Sequence, residues 1–129
     1  MPANLEPVVM DEATNWHGQI ISRQTAQHLF PSCVVRLVIR NTTNKDIEAI
    51  YFEITKVKDG TFWGIARGTY RQFDWVGIKD GEQVTFRREH INEIPMGGRW
   101  QPKQFMKAVG HLKGRTKDFG YCPTGLRCI

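Results

Sequence analysis

Apolar and polar positions along this chain fall into short alternating runs separated by turn-forming clusters, and an alternation of period two is that of β-strands. Cys33-Val34-Val35-Arg36-Leu37-Val38-Ile39-Arg40 is rich in β-branched residues. It places Val35, Leu37 and Ile39 on one face and a mixed set, Val34, Arg36, Val38 and Arg40, on the other. The polar cluster Asn41-Thr42-Thr43-Asn44-Lys45-Asp46 predicts a turn that closes a hairpin into a second strand over residues 47–58. Asp59-Gly60 is the strongest local signal. A type I′ turn needs positive φ at both central residues, and Asp-Gly supplies it at little steric cost. It predicts an antiparallel hairpin between residues 51–57 and 61–66, with Gly64 and Gly68 marking bulges or bends where the sheet curls. Residues 70–76 read as a loop or short strand, 77–82 as a tight turn and 83–87 as another alternating strand. Residues 90–94 read as a last strand or a single turn, ended by Pro95.

Two stretches carry helical spacing instead. Ser22 is a candidate N-cap for a short helix over residues 23–30, with Ala26, Leu29 and Phe30 apolar and Pro31 as its stop. Pro102 suits the first turn of a second helix, along which Phe105, Met106, Val109 and Leu112 form an apolar stripe. Lys103 and Lys107 fall on its other side, and Gly110 or Gly114 is where it is expected to end. Residues 1–18 show no period and read as an extended or partly mobile arm, from which Val8, Val9, Met10 and Trp16 are available to pack on the core or add an edge strand. The expected fold is therefore α+β. A small, strongly curved antiparallel sheet, or partial barrel, is flanked by a short N-terminal helix and a C-terminal helix. One domain spans residues 1–129, with the arm at 1–18, helix and sheet at 19–95, and a segment at 96–129 that follows the hinge-like Met96-Gly97-Gly98.

The stretches YFEITKVKDGTFWGIARG and GIKDGEQVTFRREHINEI, within residues 51–95, resemble the core of small bacterial and phage β-domains of uncharacterised function. In those domains an aromatic-rich strand turns at Asp-Gly, and a Gly-x-Lys-x-Gly turn leads into a strand ending near a His-Ile pair. The resemblance implies an SH3-like or small-barrel sheet over about a third of the chain, and it implies no activity and no catalytic residue. The insert at 72–76 and the segment after residue 96 lie outside the pattern.

Charge adds a direction. Formal net charge is +5, yet residues 96–129 hold seven cations, Arg99, Lys103, Lys107, Lys113, Arg115, Lys117 and Arg127, against one acid, Asp118. The rest of the chain is close to neutral, so the cationic quarter points to an anionic partner. A chain of 129 residues, 40% hydrophobic and 24% charged, suits a single globular core. No apolar run approaches a membrane span, no leader pattern opens the chain, and three cysteines do not make a complete disulfide framework. A soluble, cytoplasmic protein with no membrane partner is the expectation.

Catalytic and metal-binding patterns are wanting. The histidines His17, His28, His90 and His111 fall in different elements, and Cys122 and Cys128 are spaced more widely than zinc ligands usually are. No Gly-x-Ser-x-Gly elbow and no phosphate-binding glycine loop occurs. Cys33 opens an apolar strand and reads as a small buried residue. Glu48, Glu53, Asp74, Glu82, Glu89 and Glu93 mostly alternate with apolar neighbours, as on a solvated sheet face. No cofactor and no catalytic residue is assigned, and an enzyme is the least favoured class.

Binding is favoured. Curved sheets take single-stranded nucleic acid by pairing exposed aromatics with cations. Phe52 and Phe86 are expected in the core, whereas Trp75 and Trp100 sit in loop-like contexts suited to exposure. The expected function is a non-catalytic binding module whose cationic C-terminal segment contacts nucleic-acid phosphates. Its candidate residues are Arg71, Trp75, Arg99, Trp100, Lys103, Lys107, Lys113, Arg115 and Lys117. The alternative is docking on an acidic protein surface, in the manner of a small inhibitor or immunity protein.

Overall fold

The structure, a computed structural model, describes residues 4–15, 20–21, 23–67, 78–95 and 101–110. Its strands are β1 (Leu5–Pro7), β2 (Val34–Asn41), β3 (Ile47–Lys58), β4 (Thr61–Arg67), β5 (Gln83–Arg87) and β6 (Ile91–Glu93). A single helical turn, α1 (Arg23–Ala26), precedes β2, a 3-10 turn (Arg88–His90) joins β5 to β6, and α2 (Lys103–Gly110) follows the sheet. All these strands belong to one antiparallel sheet. β2, β3, β4 and β5 form a meander, and the 3-10 turn carries the chain back so that β6 pairs with β2, the first strand of that meander. The result is a nearly closed small barrel.

Both predicted hairpins form for the expected reasons. Asp59 and Gly60 have φ of 52° and 79°, the left-handed pair that a type I′ turn demands. At the other turn the Asn41 side-chain carbonyl accepts from the main-chain N–H groups of Thr43 and Asn44, at 2.9 and 3.2 Å. Such local bonds favour a turn over continued strand. The irregularity expected at Gly64 of β4 falls instead on the strand across from it, β3, where the register with β4 shifts between Ile54 and Lys56. A Cβ on Gly64 would stand 3.2 Å from the Glu53 carbonyl oxygen and 3.3 Å from the Phe52 Cβ, so a side chain there would push the strands apart by a few tenths of an ångström. Gly68 lies outside the described residues.

Side chains of one face of the sheet fill the barrel. Val35, Leu37 and Ile39 of β2, Ile50, Phe52 and Ile54 of β3, and Val84 and Phe86 of β5 are buried. Phe62 and Phe86 stack with ring centroids 5.2 Å apart. Full burial of each such side chain stabilises the fold by about 1.5–3 kcal/mol. Phe105, Met106 and Val109 of α2 join this same core. Among the described residues no helix is long and apolar enough to cross a membrane.

One expected element is corrected. The N-terminal helix over 23–30 shrinks to the single turn α1, so among the described residues there is one helix longer than a turn and not two. Past Ala26 the main chain tightens: His28 N–H donates to Thr25 and Leu29 N–H to Ala26, a three-residue spacing that ends an α-helix. Ser32 then adopts φ 88°, and Cys33 is already buried at the head of β2, which leaves no length for further turns. Ser22, the candidate cap, lies outside the described residues.

Candidate functional site

The edge of β2 that faces away from β3 is covered piecemeal, and this arrangement fixes where the cationic helix stands. β1 pairs with Ile39, Arg40 and Asn41, and Val8 N–H donates to Val38 O at 2.8 Å. β6 covers Arg36 and Leu37. At Val34 the place of a further strand is taken by a side chain: Val34 N–H donates to Gln101 Oε1 at 2.9 Å, and Gln101 Nε2 donates to Val34 O at 2.8 Å. Gln101 Nε2 also donates to Pro95 O at 2.7 Å, and the residue is only 4% exposed. An amide carries a donor and an acceptor side by side, as a peptide group does, so it can complete a strand edge. Two residues later α2 begins.

α2 has two unlike sides. Phe105, Met106 and Val109 face the core, while Lys103, Gln104 and Lys107 are exposed. Lys103 and Lys107 stand one turn apart, and neither forms an ion pair with a described residue. Of the predicted binding residues these two are described, and the structure brings them together. Arg71, Trp75, Arg99, Trp100, Lys113, Arg115 and Lys117 lie outside the described residues.

Beside the Gln101 clasp is a polar cluster that alternation does not reveal. Alternation puts Glu93 on a solvated face, yet it is buried, 4% exposed. β6 lies between β2 and residue Thr14, whose main chain bonds to Asn92 and Ile94, and this sandwiching removes the solvent. The Tyr51 hydroxyl donates to Glu93 Oε1, and Arg36 Nη2 lies 3.8 Å from Glu93 Oε2. Arg36 Nε donates to Asn92 Oδ1 at 2.7 Å, and its guanidinium lies over the Tyr51 ring, 5.7 Å from the centroid. A buried carboxylate is tolerated when so paired. With Tyr51, Arg36 and Asn92 committed to one another, the cluster closes the barrel seam between β6, β2 and β3.

Other chemistry-bearing groups are quiet. Burial pushes the Cys33 thiol up to about 12, far from the range of a reactive thiolate. His90 is shifted below its ordinary value, chiefly by burial, and its Nδ1 accepts from Arg87 N–H at 2.9 Å. A concavity of about 570 Å³ lies between the N-terminal arm and the 3-10 turn, lined by Met10, Asp11, Ala13, Ile21, Arg88 and Ile91 among others. Its described lining holds the carboxylates of Asp11, Glu12 and Glu89 and the guanidinium of Arg88. Among the described residues no group of three or more His, Cys, Asp or Glu is placed to hold a metal ion.

Comparison with known proteins finds no matching family model, no matching curated protein and no matching solved structure.

Proposed function

We propose that this protein is a non-catalytic binding module of the SH3-like barrel class, whose cationic C-terminal segment contacts the phosphates of a nucleic acid. The observation that carries the reading is the placement of Lys103 and Lys107: exposed, one turn apart, and unpaired by described acids, on a helix whose other side is buried and whose start is tied to β2 through Gln101. A helix already held against the core needs no backbone ordering when a phosphate chain arrives, and each phosphate neutralised releases condensed counterions. The seven cations of residues 96–129 extend the same charge. The strand order supports the barrel class, because the last strand returns to the first of the meander through a 3-10 turn. The buried free thiol of Cys33 fits a reducing compartment, and we place the protein in the cytoplasm.

The test is fluorescence anisotropy with labelled single- and double-stranded DNA and RNA at two salt concentrations. Micromolar or tighter binding that falls steeply with salt is expected. The double substitution Lys103→Glu and Lys107→Glu should weaken it and flatten the salt slope by roughly 0.7–0.9 for each phosphate that is no longer neutralised. Unchanged affinity in the folded double variant would remove α2 from the interface. A flat signal at low salt would discard nucleic acid and turn the search to an acidic protein surface.

A further inference from the structure

We propose that the outward face of the β3–β4 hairpin is a stacking subsite for an unpaired base of single-stranded nucleic acid, with Trp63 as the platform and Lys56, Lys58 and Arg87 as phosphate contacts. This rests on the nucleic-acid reading above and extends it to a second surface.

Trp63 points away from the core. Its neighbours Phe62 and Gly64 are buried inward, and period-two alternation sends the indole outward, where it is only half-buried. The Lys56 ammonium lies over the ring, 4.7 Å from its centroid. Lys56 itself is exposed, so its ammonium is exchangeable for a ligand, and a flat base stacks on an indole face with far more area than an ammonium does. Lys56 sits on a flexible stem, so the incoming base displaces its head to the flanking phosphate.

The surroundings are charged to suit. Across the sheet, Lys56, Trp63 and Thr85 form one row and Lys58, Thr61 and Arg87 the next towards the turn. Arg87 Nη1 reaches back to Thr61 Oγ1 at 3.4 Å. Lys56, Lys58 and Arg87 are all exposed there, against Asp59 and Glu89, and Glu89 is already 3.8 Å from Arg87. Lys56 and Lys58 form no ion pair with a described residue. The other cation–aromatic pair, Arg36 with Tyr51, is not equivalent, because both partners are engaged by Glu93.

Position links this face to α2. Val34, which holds Gln101, pairs with Glu53, which pairs with Ile65, two residues from Trp63 on β4. Two strand spacings and one repeat along the strand separate Val34 from Trp63, roughly 12 Å. The start of α2 and the indole therefore sit at the same end of the barrel. A single strand is the fitting occupant, since a duplex hides the faces of its bases.

The experiment uses the full chain with labelled oligothymidylate and a duplex of equal length, comparing Trp63→Ala with the Lys103→Glu/Lys107→Glu double variant. Trp63→Ala should weaken single-strand binding on the order of tenfold and leave duplex binding unchanged. The double variant should weaken both. In the unaltered protein, photocrosslinking to oligothymidylate carrying 5-iodouracil should attach the base to Trp63, as read by peptide mass spectrometry, so the result does not depend on the variant folding. Full single-strand affinity in Trp63→Ala, or crosslinks only elsewhere, would overturn the platform while leaving the nucleic-acid reading intact. Equal loss for single strand and duplex would also overturn it, because stacking predicts a difference. No binding of either oligonucleotide at low salt would overturn both.

Discussion

The side-chain amide of Gln101 bonds to both main-chain groups of Val34, accepting at 2.9 Å and donating at 2.8 Å, and so takes the place of a strand on that edge of β2. Through these two bonds, residues far apart in the chain are locked together, and the helix bearing Lys103 and Lys107 is held against the barrel. Gln101→Ala would leave Val34 N–H, Val34 O and Pro95 O without this partner. A loss of about 2–4 kcal/mol is expected, from one to three kcal/mol per unsatisfied group with partial rescue by water. The midpoint of urea unfolding reads this directly, and a change under about 0.5 kcal/mol would mean that the clasp is incidental.

Glu93 and Tyr51 provide a second test. Tyr51→Phe removes the donor to a buried carboxylate and should cost about 1–3 kcal/mol. Arg36→Met should cost a similar amount by leaving Glu93 with one partner fewer. A double-mutant cycle on Tyr51→Phe and Arg36→Met should show coupling, since both act on Glu93. Strict additivity would show that the two interactions are independent of each other.

Stability should depend on the protonation of His90. Its Nδ1 is an acceptor for Arg87 N–H, which only the neutral ring provides, and its pKa lies below the ordinary 6.5, with burial the largest cause. The unfolded chain therefore binds the proton more tightly than the folded one. The contribution is fully present above pH 6.5 and is lost as pH falls below that value through the folded pKa. Urea midpoints compared between unaltered protein and His90→Gln should converge as pH falls across this window. A constant difference would exclude the linkage.

Gly64→Ala should destabilise the barrel by about 1–3 kcal/mol. The new methyl would meet the Glu53 carbonyl oxygen and Phe86 Cε1, each at 3.2 Å, and the first of these belongs to main chain paired in the sheet. Thermal unfolding checks this, and an unchanged melting temperature would show that β3 and β4 separate there at no cost.

The elements legible from residue order alone are those whose causes are local. Asp59-Gly60 dictates its own left-handed turn, and Asn41 bonds to the two residues that follow its neighbour. Alternation at Val35, Leu37 and Ile39 assigns the inward face of β2, and the spacing of Phe105, Met106 and Val109 assigns the inward side of α2. Lys103 and Lys107 then fall outward by geometry. What the tertiary structure decided is everything that depends on distant neighbours. Residues 23–30 have a helical pattern, but only one turn fits before Cys33 must enter the core. Glu93 alternates like a surface residue, yet burial follows from β2 on one side and Thr14 on the other. Nothing around Gln101 in the sequence announces a strand-like role, because its partner lies 67 residues away. Local turn and periodicity signals are short-range physics written in consecutive side chains; edge sharing and polar burial arise only when remote segments meet.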